Sequence, residues 1–180
     1  MTAGTTHLSP AGQAEHQLLS NLLELYIHDL SAAFPHVQLG ADGRFGYPGL
    51  ATYWAEPERR FAFLIRESGQ IAGFILATRG SPVVTDPDVY DVAEFFVLRR
   101  YRRAGVGRRA ASLLWRERPG HWVVRVAEAN RGALEFWARV VTEREARPGG
   151  STIKRWARPG TPSAWRVFEL DSSAAGEDPI

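Results

Sequence analysis

The chain has 180 residues, of which 44% are hydrophobic and 23% are charged, an ordinary composition for one globular domain with a sizeable core. It contains no cysteine, which excludes disulfides, thiolate metal sites and a cysteine nucleophile. The formal net charge is only +2, no apolar run approaches the roughly 18 residues of a membrane span, and the first residues show no signal peptide. We therefore expect a cytoplasmic protein with no nucleic-acid partner and no membrane partner.

The first half of the chain predicts one helix followed by antiparallel strands. Apolar residues recur at steps of three and four over residues 10–33, as on one face of an amphipathic helix. A long loop rich in Gly and Pro follows, with a short helix near residues 50–55. The segment "RFAFLIRESGQIAGFILATRG" contains two apolar runs separated by Ser68 and Gly69, which predicts a β-hairpin. A further strand is predicted over residues 89–98.

The next segment predicts a strand, a helix and a strand in succession. The helix is expected over residues 106–118 and the strand after it over 121–127, followed by another helix over 131–140. A connection of this length between two strands of one sheet is a crossover, so strands 89–98 and 121–127 should be parallel.

The last part of the chain predicts a loop, a strand and a tail. The Gly- and Pro-rich loop is expected over residues 148–162, the strand over 164–170 and a polar, disordered tail over 172–180. The sequence thus predicts a single α/β domain over residues 1–171. Its sheet should be mixed, antiparallel at first and parallel in the middle, with helices on both faces.

Positive charge is concentrated around two glycines at the start of the helix 106–118. Residues 99–118 hold eight arginines and one acid, and six of the arginines surround Gly105 and Gly107. Like charges so close together repel each other, so an anion is expected among them. A helix N-terminus carries unpaired N–H groups and partial positive charge, and glycines allow an anion to approach the backbone. The pattern therefore indicates a pyrophosphate site.

Other interpretations of the glycines are weaker. Residues 105–110 match the dinucleotide fingerprint G-x-G-x-x-G/A, and Glu128 follows at the distance of a ribose-binding acid. However, "RRYRRA" separates the strand from Gly105, and only 52 residues follow Glu128, too few for a doubly wound sheet. A P-loop is excluded because two arginines follow Gly107. A basic, solvated surface that contacts RNA remains an alternative.

Two motifs carry a resemblance to a known family. The segment "VLRRYRRAGVGRRAASLLW" resembles the acetyl-CoA signature of the GNAT acyltransferase superfamily, R/Q-x-x-G-x-G/A, and Val97 and Tyr101 match as well. One strand later, "NRGALEFW" is similar to the N-x-x-A-x-x-F-Y segment of the same family. The resemblance covers about residues 60–147. The matching positions are Arg102, Gly105 and Gly107 in the first motif and Asn130, Ala133 and Phe136 in the second.

The resemblance implies a fold and an activity. The fold is a GNAT-like mixed sheet, splayed at its centre and flanked by helices, in a monomer or a homodimer. The activity is an N-acetyltransferase that transfers the acetyl group of acetyl-CoA directly to a primary amine of a small molecule, peptide or protein. Acetyl-CoA is then the co-substrate and no metal is required. The alternative is a non-catalytic protein that binds or senses acyl-CoA.

The resemblance also implies which residues hold the coenzyme. Main-chain groups of Phe96, Val97 and Leu98 would bind the pantetheine arm in the gap between the two parallel strands. Asn130 would reach the coenzyme with its amide, cap the following helix, or do both. Trp137 would face the coenzyme's sulfur. The side chains of Arg102, Arg103 and Arg108 would supply positive charge for the pyrophosphate. The pyrophosphate would accept hydrogen bonds from the backbone N–H groups of Arg103, Ala104, Gly105, Val106 and Gly107.

Direct transfer to an amine often needs a general base, because the amine must be neutral to attack. Glu94 and Asp91 are the acids on the strand and would face opposite sides of a regular sheet. Glu94 is slightly favoured, since it lies nearer the mouth of the cleft. Trp137 stands where the family has the tyrosine that protonates the departing thiolate, and an indole N–H is too weak an acid for that. Tyr90, Tyr101 or water would replace it, or the thiolate leaves as an anion.

The resemblance further implies that the acceptor lies between the first helix and the loop that follows it. The residues available there are aromatic and acidic, a combination that would suit a cationic amine. The candidates are Tyr26, His28, Asp29, Phe45 and Tyr47. The sequence does not distinguish among classes of amine.

Overall fold

A seven-stranded sheet forms the centre of the computed structural model, which describes residues 4–145, 151–157 and 164–173. Its strand order is β1-β2-β3-β4-β5-β7-β6. The strands are β1 Thr6–Pro10, β2 Arg60–Glu67, β3 Gln70–Arg79, β4 Tyr90–Val97, β5 His121–Ala127, β6 Ser151–Ala157 and β7 Ala164–Asp171. The helices are α1 His16–Ser31, α2 Thr52–Ala55, α3 Val106–Glu117 and α4 Arg131–Glu145.

Strand pairing confirms the predicted mixed sheet. β2 and β3 form the expected hairpin, in which Ser68 and Gly69 both have positive φ, as the tightest hairpin turns require. β4 and β5 are parallel and are joined through α3, which confirms the predicted crossover. The other neighbouring strands described in the sheet pair antiparallel. A fold with one parallel pair is not a doubly wound sheet, so the dinucleotide-binding interpretation is wrong.

The helices cover the two faces of the sheet. One face packs against α3 and α4, with Leu114, Trp122 and Trp137 buried between them. The other face packs against α1 and α2, with Leu19 and Phe74 in its core. None of the helices in the described ranges is long and apolar enough to cross a membrane.

Two strands lie where the sequence analysis did not place them. β1 occupies the segment before α1 and pairs with β2, and the predicted helix 10–33 begins only at His16. β6 lies within the predicted loop 148–162 and pairs with β7. Ser172, expected in the tail, is buried and bonded to the backbone of Gly120. The rest of the tail, residues 174–180, lies outside the described residues.

Candidate active site

β4 and β5 separate along their length, which opens a gap in the sheet. They pair only where Tyr90–Val92 lies beside Trp122–Val124. β4 then continues to Val97 and β5 to Ala127 without pairing with each other. The edges of the two strands therefore face a shared opening instead of a common hydrogen-bond ladder. This is the splayed sheet that the resemblance implied.

A bulge in β4 controls which side chains share a face of the sheet. The extra residue is Ala93, because the partners across β3 and β4 are Leu76 with Glu94 and Ala77 with Val92. Without the bulge, Asp91 and Glu94 would lie on opposite faces. With it they lie on the same face, where Arg125 binds Asp91 and its charge also favours the ionised form of Glu94. The expectation of opposite faces is wrong for this reason.

The main chain of β4 faces the gap at alternate residues. Leu98 N–H donates to the Ala72 carbonyl (2.8 Å), and the Phe96 carbonyl points at Gly73, so both groups are directed toward β3. The Val97 carbonyl points the other way and accepts from Arg102 Nε (2.7 Å). Since backbone groups alternate along a strand, Phe95 and Val97 are the residues whose main chain faces the gap. The main chain of Phe96 and Leu98, predicted to bind the pantetheine arm, is instead directed toward β3.

The gap widens into a cleft of about 500 Å³. It lies between the C-terminal half of α1, the end of β4 and the N-termini of α3 and α4. The predicted residues that line it are Tyr26, Asp29, Phe96, Val97, Arg102, Arg103, Gly107, Asn130 and Trp137. Arg99, which belongs to the arginine cluster, and the motif residues Ala133 and Phe136 line it as well. Leu30, Phe95 and Gly132, to which the sequence analysis gave no role, complete the lining. Phe95 could have been predicted from the sequence, because residues two apart on a strand direct their main chain to the same side and Val97 was already expected to face the gap.

Aromatic rings form one wall of the cleft. Trp137 is buried and packs edge-to-face against Phe95 (ring centroids 5.1 Å apart) and Phe136 (5.0 Å). A Cβ on Gly107 would lie only 3.1 Å from the Phe136 ring, so this glycine lets α3 approach α4. The wall is therefore apolar.

The loop before α3 makes a tight turn around its first residues. Gly105 is the N-cap with φ +77°, and Arg103 also has a positive φ of +62°. The Ala104 carbonyl accepts from Arg109 Nη1 (3.1 Å), and the Val106 side chain is buried in the core. Five predicted coenzyme residues do not line the cleft: Leu98, Ala104, Gly105, Val106 and Arg108.

Several arginines of the cluster have carboxylate partners within the chain. Asp29 on α1 accepts from Arg99 Nη2 (2.6 Å) and Arg102 Nη2 (2.5 Å). Burial opposes the ionisation of Asp29, but these hydrogen bonds outweigh it, and the pKa of Asp29 is lowered. Arg108 lies 3.6 Å from Glu143, and Arg109 pairs with Glu67 on β2 (3.0 Å). Asp29 is therefore neutralised, and it does not offer a free charge to a cationic acceptor.

Asn130 acts as a cap for α4. Its Oδ1 accepts from the N–H of Ala133 (3.2 Å), and its carbonyl accepts from Leu134 N–H (3.0 Å). The residue also lines the cleft, so the amide lies beside the space that the coenzyme would take.

Glu94 lies behind the wall of the cleft, where it is bonded to Tyr26, a lining residue, and to Tyr47. It accepts from Tyr26 Oη (2.6 Å) and Tyr47 Oη (3.1 Å). Burial raises the pKa of Glu94 above its ordinary value, and the two hydrogen bonds limit the rise. Burial and the charge of Glu94 raise the pKa values of Tyr26 and Tyr47 as well. Both tyrosines thus keep their protons and act as donors to the carboxylate.

Asp91 has a different environment from Glu94. It is fully buried and bonded by Arg125 through both oxygens, Nε to Oδ2 at 2.8 Å and Nη2 to Oδ1 at 3.1 Å. Ser81 Oγ donates to it as well (2.5 Å). These contacts tie β4, β5 and the loop after β3 together.

Glu24 on α1 holds the loop that carries Tyr47. Its carboxylate accepts from the N–H groups of Phe45 (2.7 Å) and Gly46 (3.0 Å), and Arg44 Nε lies 3.4 Å away. The bond from Phe45 makes the largest contribution, and together these contacts lower the pKa of Glu24. The ring of Phe45 packs near His28 rather than in the cleft.

The tyrosines considered as proton donors lie elsewhere. Tyr90 stacks on Trp122 with ring centroids 4.8 Å apart, and Tyr101 lies under Arg100. Neither lines the cleft, and among the described residues Tyr26 is the tyrosine that does.

Comparisons with known proteins agree with this geometry. Residues 20–141 match the model of the acetyltransferase (GNAT) family. An acetyltransferase from Thermus thermophilus is 18% identical with a TM-score of 0.63, covering 93% of this chain and 98% of that one. The ribosomal-protein-S18-alanine N-acetyltransferase from Escherichia coli is 20% identical with a TM-score of 0.54, covering 98% and 99%.

A third structure, yncA from Salmonella typhimurium with its cofactor acetyl-CoA, is 14% identical with a TM-score of 0.58 and covers 96% of each chain. At these identities the likeness shows a shared fold. No curated protein matches the chain significantly in sequence.

Proposed function

The chain belongs to the GNAT acetyltransferase family, and we propose that it transfers the acetyl group of acetyl-CoA to a primary amine. The observation that carries the proposal is the position of Glu94. This carboxylate has a raised pKa, is held by two tyrosines, and is joined through Tyr26 to a cleft formed by unpaired strand edges.

The groups around the cleft fit a coenzyme of this chemistry. Main-chain groups of Phe95 and Val97 face the gap and suit the amides of a pantetheine arm. Arg99, Arg102 and Arg103 line the outer part, beside the N-terminus of α3, and supply positive charge for phosphates. The apolar wall around Trp137 suits the thioester end.

The residues of the chain would divide the work of transfer. When bound, acetyl-CoA supplies an acetyl group activated as a thioester. Val97 and Phe95 orient the arm that carries it, and the wall around Trp137 keeps water away from the reacting end. Glu94 accepts the proton that the attacking amine must lose, directly or through one water.

Asp91 is assigned a structural role in this scheme. Asp91 is fully buried, and both of its carboxylate oxygens already accept hydrogen bonds from Arg125 and Ser81, so its place is taken by contacts within the chain. Glu94 is therefore the base that we propose. We assign no side chain as proton donor to the departing sulfur, because an indole N–H is too weak an acid and the pKa of Tyr26 is raised.

Turnover with a panel of amines tests the proposal. Purified protein is mixed with acetyl-CoA and small amines, peptide N-termini or lysine peptides, and thiol release and acetylated product are measured. We expect both to appear with at least one class of amine. Firm CoA binding by calorimetry without turnover would favour the acyl-CoA-binding alternative. Binding of RNA or NAD with no response to CoA would overturn the proposal.

A further inference from the structure

A second cavity of about 440 Å³ lies beside α2, where β2 begins and β3 ends. Its lining residues are Glu56, Arg59, Arg60, Thr78, Arg79, Gly80, Ser81 and Pro82, and it is called here the arginine cavity. None of these residues belongs to the cleft between β4 and β5.

The arginine cavity is positively charged. Three guanidinium groups line it against one carboxylate, Glu56, which pairs with Arg60 (Nε–Oε2 2.9 Å). Arg79 lies 3.4 Å from Asp88, a residue outside the lining whose side chain is 75% exposed. In the part of the chain that the structure describes, the Arg59 guanidinium has neither a hydrogen bond nor an ion pair. The positive charge of the cavity is therefore only partly neutralised, and a bound oxyanion would complete the neutralisation.

The strand register brings this cavity next to Glu94. Thr78, which lines the cavity, is the ladder partner of Asp91 on β4. Leu76, two residues before Thr78 on β3, is the ladder partner of Glu94. Two residues of a strand span about 7 Å and point to the same face. Ser81, also in the lining, donates to Asp91. The cavity thus borders β4 at Asp91, on the side of Glu94 away from the arginines of the coenzyme cleft.

Aromatic side chains connect the arginines of the cavity to the base. Arg60 lies over the ring of Tyr53, with its Cζ 5.7 Å from the ring centroid. Tyr53 is buried, and burial together with the charge of Glu94 raises its pKa to about 12. Tyr47 then bonds Glu94 itself. Contacts therefore run from Arg60 through Tyr53 and Tyr47 to the carboxylate.

We propose that the arginine cavity binds the anionic end of the acceptor, a small primary amine that carries a carboxylate or a phosphate. The inference rests on the proposed acetyl transfer and names its substrate class. The oxyanion binds Arg59 and Arg79 while the amine extends along β3 and β4 to Glu94. Asp29, which would have served a cationic acceptor, is already paired with Arg99 and Arg102.

Matched acceptors test the proposal. The pair 4-aminobutanoate and 4-aminobutanamide differs in the anionic charge, and 3-aminopropyl phosphate distinguishes phosphate from carboxylate. We expect kcat/KM for at least one anion to exceed that of the amide by about tenfold or more, as charge-assisted hydrogen bonds would give. The double variant Arg59→Gln/Arg79→Gln should lose this preference while binding CoA normally. Arg116→Gln, an exposed arginine on α3, is the matched control and should keep it.

A binding measurement keeps the proposal testable apart from turnover. In NMR titrations, 4-aminobutanoate or 3-aminopropyl phosphate should shift the side-chain Nε–H signals of Arg59 and Arg79, and 4-aminobutanamide should not. Absence of these shifts overturns the inference even if no amine is acetylated. Equal kcat/KM for charged and neutral acceptors, a preference that survives the double variant, or a basic peptide as the best acceptor also overturns it, while leaving acetyl transfer itself established.

Discussion

Glu94 shows how much one residue depends on its surroundings. A carboxylate near its ordinary pKa is a weak base, and burial raises the pKa of Glu94 toward the range where general bases are effective. The hydrogen bonds from Tyr26 and Tyr47 keep the rise moderate and fix the direction of the carboxylate. The sequence placed both tyrosines near an acceptor but gave no sign that they bind the base.

Glu94→Gln should lower kcat by about 10² to 10⁴, because the amide keeps the shape but does not accept a proton. CoA affinity, measured by calorimetry, should stay unchanged, since the carboxylate does not line the coenzyme cleft. Glu128→Gln is the matched control, because Glu128 bonds only Arg155 and Arg166 among the described contacts. Equal activity of both variants would remove Glu94 from the mechanism.

Tyr47→Phe should move the acid limb of the pH–rate profile to higher pH. Glu94 acts when ionised, so kcat/KM falls as the pH drops through its pKa. The Tyr47 hydrogen bond lowers that pKa, and its loss therefore raises it. The amine titrates identically with both proteins, so the difference between the two profiles reports the enzyme. Tyr101→Phe, outside the cleft, should leave the limb in place, and an unmoved limb in Tyr47→Phe would contradict the assignment.

Gly105→Ala should destabilise the fold by about 1–2 kcal/mol, because φ +77° is costly for a residue with a Cβ. Gly132→Ala, in the first turn of α4 with open space around the new Cβ, should instead stabilise by about 0.5–1 kcal/mol. Urea denaturation measures both. If both variants change the free energy of unfolding in the same direction, the left-handed conformation at Gly105 is not the reason that a glycine is needed there.

At the scale of elements, β4 combines features that the sequence predicts with one that it does not. Its apolar run, the following glycines and the crossover helix predicted a strand beside a parallel partner, and β4 and β5 confirm it. The bulge at Ala93 carries no Gly or Pro and depends on the register with β3. Since the bulge determines which face Asp91 takes, the arrangement of the two acids could not be read from the sequence.

Hydrogen exchange should reveal the open edge of β4. The N–H groups of Phe95 and Val97 face the gap, whereas Leu98 N–H is bonded to β3 and that of Phe96 points the same way. We expect CoA to slow exchange at Phe95 and Val97 by about tenfold or more, with Phe96 and Leu98 as internal controls. Uniform slowing along the strand, or none, would place the coenzyme elsewhere.

Edge strands were the elements that the sequence did not predict. β1 is five residues long and ends at Pro10, and β6 lies among glycines and prolines. Both exist because a longer neighbour, β2 or β7, supplies the hydrogen bonds. Hydrogen bonding to a neighbouring strand leaves no pattern in the local sequence. The interior hairpin and the crossover, whose patterns are local, were predicted correctly.

At the scale of the whole molecule, the arginine cluster serves two purposes. Arg109 ties α3 to β1 and β2 through Thr6 and Glu67, and this is a structural role. Arg99, Arg102 and Arg103 line the coenzyme cleft, the first two bonded to Asp29. The arginine cavity lies on the other side of Glu94. The molecule thus places positive charge on both sides of its proposed base.

Single turnover tests the central claim most directly. Excess protein is mixed with acetyl-CoA labelled in its acetyl group and with an acceptor amine, and mass spectrometry follows the label. Acetyl transfer to the amine should match thiol release one to one, with no labelled protein, and Glu94→Gln should slow it by about 10² or more. Saturating acetyl-CoA that leaves every amine unlabelled, or label transferred equally fast by Glu94→Gln, would contradict the account.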